Sequence, residues 1–86
     1  MKGRVNDKAH LELILKSIDN VFEFTAKYDS YEQFKNDKLC CHAVAYNVQC
    51  IGESVYKMSQ DFKESHTDVE WHLISGMRHI LVHDYY

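Results

Sequence analysis

Arg78, His79, His83 and Tyr85 crowd into the last nine residues of the chain, Arg78-His79-Ile80-Leu81-Val82-His83-Asp84-Tyr85-Tyr86. Arginine offers a planar fork of donors that matches phosphate, and histidine is the side chain whose ordinary pKa lets it give or take a proton near neutrality. Together they suit phosphodiester chemistry without a metal. RNA carries its own nucleophile, the 2′-OH, in line with the adjacent phosphate, so such a site needs only an acid or base and positive donors. His83 is the candidate to deprotonate the 2′-OH or to protonate the leaving 5′ oxygen. Arg78 is the candidate to hold the non-bridging oxygens as negative charge builds, and His79 is a second imidazole in support.

The spacing sets a geometric problem. On an ideal helix His83 lies about 40° from His79 and about 20° from His72, while Arg78 points about 140° away from His83. One straight helix therefore does not bring Arg78 and His83 onto a common phosphate. Either the helix opens near Val82, or two chains contribute to one site. The stripe His72, His79, His83 also raises a metal reading, since imidazoles at i and i+4 can share an ion. No HExxH spelling accompanies it, and Glu70 and Asp84 lie off the stripe, so no metal is expected. Cys40-Cys41-His42 reads as small buried hydrophobes on a helix rather than a ligand set.

The elements that must position these residues are helical. The chain has 86 residues, no proline and three glycines, with 45% hydrophobic and 13% aromatic content. That composition excludes a disordered chain and favours long helices over turn-rich sheets. One small all-α domain over 1–86 is expected, small enough that a partner subunit helps to bury its surface. Leu11, Ile14, Leu15, Ile18, Val21, Phe22 and Thr25 recur at helical spacing and predict a first helix from about Asp7 to Lys27, capped by Asn6 or Asp7. Ser30-Tyr31-Glu32-Gln33 is a capping-box spelling that opens a short helical turn through Phe34.

A second long helix is predicted to start near Asn36 or Asp37 and to pair antiparallel with the first. Its apolar series Leu39, Ala43, Tyr46, Cys50, Ile51, Val55, Met58, Phe62 is long enough for about seven turns. Lys63-Glu64-Ser65-His66 closes it. Thr67-Asp68-Val69-Glu70 spells a second capping box, opening a third helix with Val69, Ile74, Met77 and Leu81 inward. The expected architecture is thus an antiparallel bundle of three long helices plus a short turn. Gly52 and Gly76 fall inside helices, where each costs on the order of 1 kcal/mol relative to alanine. Both are expected to mark a tight crossing, either where the second and third helices approach closely or where the backbone leaves room for a ligand or a second subunit.

Formal net charge is −3, so the whole-molecule field repels nucleic acid and any RNA contact must be local. The lysines are scattered among acids and read as solvated faces. Three cysteines, with no CxxC spacing and no secretory leader or membrane span, point to free thiols and a cytoplasmic protein.

Ile51-Gly52-Glu53, then Trp71, then Gly76-Met77-Arg78-His79-Ile80-Leu81-Val82-His83-Asp84-Tyr85 resembles the HepT-like toxins of the HEPN superfamily in order and spacing. That family's signature is R-x4-H-x-Y, which Arg78, His83 and Tyr85 occupy here. The resemblance implies a HEPN-type helical bundle that dimerises, with Arg78 and His83 of both protomers facing one cleft. It implies a metal-independent endoribonuclease that leaves a 2′,3′-cyclic phosphate and needs no cofactor. It also implies a type VII-like toxin–antitoxin pair, in which an MNT nucleotidyltransferase antitoxin binds the toxin and uses ATP to transfer AMP onto the tyrosine, here Tyr85. Relatives continue beyond the signature with a further helical segment, which a chain ending at Tyr86 is expected to lack. The rival reading is a catalytically silent HEPN binding module that docks onto the nucleotidyltransferase.

Overall fold

A computed structural model describes the backbone of residues 2–80 and the side chains of residues 6–80. Among the described residues five helices follow in order: α1 (Lys2–Thr25), α2 (Tyr31–Lys35), α3 (Lys38–Lys57), α4 (Gln60–Ser65) and α5 (Trp71–Ile80). No strand occurs among the described residues, so the chain is all-α as its composition requires. The start of α2 follows its spelling: the Ser30 hydroxyl accepts from the Gln33 N–H at 3.3 Å. Gln33 reaches back one residue further than the usual box, accepting from the Asp29 N–H at 2.9 Å. α3 starts where expected, and Asp37 caps it, accepting from the Cys40 N–H at 3.1 Å. The Tyr28 hydroxyl donates to the same carboxylate and ties the preceding loop to the cap.

Three boundaries depart from the sequence reading, and one contact bears on the first two. The second long helix does not run through Phe62. It stops at Lys57, Met58 is extended, and Ser59 caps the separate α4 by accepting from the Phe62 N–H at 3.2 Å. Asp7, expected to cap the first helix, instead lies within α1, which already begins at Lys2. Its carboxylate, only 2% exposed, accepts from the Ser59 N–H at 2.7 Å and from the Ser59 hydroxyl. A buried carboxylate needs donors that its own helix cannot supply in mid-span, and the amide freed by the break after α3 is one. The third helix also starts later than Thr67-Asp68-Val69-Glu70 suggests, at Trp71. Residues 67–70 turn instead, and the Trp71 indole N–H donates to the His66 carbonyl at 2.9 Å.

α3 is the central helix, with α1 antiparallel on one side and α5 on the other. The pairs Asp7–Ser59, Asn20–Asn47 (3.1 Å) and Phe24–Cys40 (3.4 Å) run in opposite directions along α1 and α3 and set their register. Small side chains are frequent in the core: Ser17, Cys40, Ala45 and Ser54 are all buried, beside Val55 and Met58. Because the core is narrow, part of the expected apolar stripe stays outside it. Leu11, Ile14, Ile18 and Val21 are half-buried, whereas Leu15, Phe22, Leu39 and Tyr46 are exposed, between 62% and 82%. Cys40 packs as a small hydrophobe, and all three cysteines are free. Among the described residues no helix is long and apolar enough to cross a membrane.

Burial alone would push the Asp7 pKa up, but the Ser59 hydroxyl and amide, with the nearby His10 and Lys63 charges, outweigh it and hold the pKa below the ordinary value. A depressed folded-state pKa contributes stability above the unfolded value, about pH 4, and loses it as pH falls through the folded value. Asp7→Asn should lower unfolding free energy by about 2 kcal/mol at pH 7. Urea titrations should show that deficit narrowing below about pH 4. An unchanged midpoint at neutral pH would show that the Asp7–Ser59 contact does not hold the α3–α4 break.

Candidate active site around Arg78

The site begins with an absence of bulk on α3. A Cβ at Gly52 would lie 3.0 Å from the Arg78 Cβ, 3.2 Å from the Arg78 nitrogen and 3.2 Å from the Ile74 carbonyl oxygen. Two of those neighbours are backbone atoms of α5, which cannot yield without moving the helix. Glycine at 52 therefore lets α5 lie against α3, as expected for a tight crossing. Gly76 does not share this role: outside its chain neighbours and its own helix backbone, no described atom lies within 4 Å of where its Cβ would be, so it marks no second close approach of helices within the chain. Gly76 lies on the part of α5 turned away from α3.

Once the backbone of Arg78 is over Gly52, its side chain crosses the next residues of α3. Nη1 lies 3.1 Å from the Glu53 carboxylate, and the guanidinium carbon sits 4.8 Å from the centre of the Tyr56 ring. The planar cation is thus held by a carboxylate at one edge and an aromatic face. Glu53 also lies 3.7 Å from the Lys57 ammonium, so its charge is shared between two cations. The Arg78 side chain is 35% exposed, and Nε is buried with no hydrogen-bond partner among the described residues. A guanidinium has five N–H donors, and one contact to Glu53 leaves capacity for an incoming oxyanion. Fixed positive donors of this kind stabilise charge that develops on phosphate oxygens.

His79 follows on the exposed side of α5, away from the α3 contact. His83 and Tyr85 lie outside the described residues, and so does the expected meeting of Arg78 with His83. Among the described residues no group of three or more His, Cys, Asp and Glu side chains gathers as a metal would need. Sequence reasoning missed Glu53 and Tyr56 as partners of Arg78. Their signal was positional: they stand one and four residues after Gly52, on the turn of α3 that any side chain entering over the glycine must cross.

Comparison with known proteins places this geometry. The family described as Ribonuclease HepT-like matches the chain over residues 14–86. A candidate RNase of Methanocaldococcus jannaschii is 39% identical over 79 residues, covering 92% of this chain and 72% of its own. A second candidate RNase of the same organism is 37% identical over 79 residues, covering 92% of this chain and 67% of its own. A candidate ribonuclease HepT of Thermococcus cleftensis is 34% identical over 79 residues, covering 92% and 71%. No solved structure matches the chain.

The two glycines make opposite expectations. Gly52→Ala should cost about 1–3 kcal/mol by forcing α5 away from α3. Gly76→Ala should gain roughly 0.5–1 kcal/mol from helix propensity alone. Urea unfolding of both variants checks the pair, and equal effects of the same sign would contradict the crossing described.

Proposed function

The chain belongs to the HepT-like ribonuclease family of the HEPN superfamily, and from that premise we propose that it is the RNA-cleaving toxin of a type VII-like HEPN/MNT toxin–antitoxin pair. The observation that carries the reading is Arg78, fixed by Glu53 and Tyr56 with donors to spare. In the proposed reaction the His83 imidazole takes the proton from a ribose 2′-OH, and the freed oxygen attacks the adjacent phosphorus. The bond to the 5′ oxygen breaks, and that oxygen takes up a proton from a second imidazole, either His79 or the His83 of a second copy. The products are a 2′,3′-cyclic phosphate and a 5′-hydroxyl end. Arg78 faces the non-bridging oxygens, where charge accumulates in the transition state.

Because Arg78 and His83 lie on different faces of an ideal helix, a homodimer that pools them in one cleft is the arrangement that suits this chemistry. Neither a metal nor a cofactor has a role in it. Control would come from a nucleotidyltransferase antitoxin of the MNT type. Transfer of AMP from ATP to the Tyr85 phenol, with pyrophosphate leaving, would add bulk and negative charge beside the site and repel RNA. The pair would act in the cytoplasm, on RNA that reaches the site through local contacts, since net charge is −3.

Purified chain, free of any partner, should cleave single-stranded RNA in the presence of a chelator and leave cyclic phosphate ends. Arg78→Ala and His83→Ala should each lower the rate by about 100-fold or more. If the wild-type chain leaves RNA intact and His83→Ala behaves identically to it in cells, the enzyme reading falls and a silent docking module takes its place.

A further inference from the structure

A groove of about 660 Å³ opens between α4 and the first half of α5, within the size range of small-molecule and nucleotide sites. It borders the Arg78 site, because Tyr56, whose ring carries the guanidinium, is also one of its lining residues. From Arg78 back to Trp71, at the far end of the groove, α5 rises about 10 Å. A strand with one phosphate on Arg78 therefore has a neighbouring nucleotide within reach of it.

The walls suit a base better than a phosphate. Trp71 is held rigidly: its indole N–H donates to the His66 carbonyl at 2.9 Å, and its ring packs edge-on to Phe62 at 6.0 Å. Phe62 in turn stacks on His66 at 4.4 Å. A pre-organised aromatic of this kind is a stacking platform for an unpaired base. Glu64 and Glu70 line the groove with Lys63 and Gln60. Two carboxylates against one ammonium repel a phosphate but accept hydrogen bonds from the amino groups of bases.

Resting on the ribonuclease reading, we infer that this groove is a base-selecting subsite. It seats the nucleotide next to the cleaved linkage and favours bases with an exocyclic amine over uracil. Glu64 and Glu70 select, Trp71 stacks, and Arg78 remains on the phosphate.

The chain contains one tryptophan, so its emission reports directly on Trp71. The full chain is titrated with uncleavable 2′-O-methyl hexanucleotides of adenosine, cytidine and uridine, alongside a cleavage assay on ordinary RNA from the same preparation. The adenosine or cytidine hexamer should quench emission saturably and bind about fivefold or more tightly than the uridine hexamer. Glu64→Gln with Glu70→Gln should remove that preference while circular dichroism stays unchanged. A preparation that cleaves RNA but shows no quenching, or a preference that survives both substitutions, overturns the subsite and leaves the nuclease. Selective quenching without cleavage supports the subsite and overturns the nuclease.

Discussion

Everything near Arg78 depends on how closely α5 can approach α3, and that distance is set by the missing side chain of Gly52. A methyl group there would meet the Arg78 nitrogen and the Ile74 carbonyl at 3.2 Å, so any larger residue separates the helices. Close approach has a directional consequence as well as a packing one. It brings the Cβ of Arg78 almost onto the α3 backbone, and the only course left for the long side chain is across Glu53 and Tyr56. The glycine costs helix propensity locally, and what it permits is a cation whose position is determined by three residues of one helix turn.

The same central helix organises the other side of the molecule by hydrogen bonds rather than by bulk. α1 is held against α3 through Asp7–Ser59, Asn20–Asn47 and Cys40 on the Phe24 carbonyl, with small residues between them. Polar groups in a thin interface are directional, so they specify register more sharply than apolar contact would. The Asp7 contact also decides where α3 ends. With the break at Met58 and Ser59, α4 is a separate helix that borders, with the start of α5, the groove beside Tyr56. Site and groove thus descend from two features of α3, its glycine and its terminus.

Charge is distributed in keeping with this. The net charge of −3 gives no broad attraction for a polyanion, and the lysines are dispersed. Arg78 is paired with Glu53, which Lys57 shares, so the cation sits in a small ion-pair network instead of a basic patch. In the proposed reaction a phosphate would meet a pre-oriented fork, and orientation matters more for transition-state stabilisation than the total charge nearby.

Periodicity and capping chemistry are local, and what depends on them alone was legible in the chain itself: the all-α class, the antiparallel pairing, the cap at Ser30, the start of the second long helix near Asp37, and the importance of Gly52. Arg78 and His79 were singled out by their chemistry; the structure gives Arg78 its partners Glu53 and Tyr56 and leaves His79 on the exposed side of α5. What the sequence could not disclose involves residues far apart in the chain. Asp7 reads as a helix cap until Ser59, 52 residues away, supplies its donors. The helix through Phe62 reads as continuous because apolar spacing is unaffected by a break that an outside carboxylate stabilises. Leu15, Phe22, Leu39 and Tyr46 fit the inward pattern, yet lie exposed because periodicity defines a stripe without saying how much of it a neighbour covers. Gly52 and Gly76 look alike on paper, and only the placement of α5 separates them. A local rule names what a residue is able to do, while the identity of its partner is a property of the packed chain.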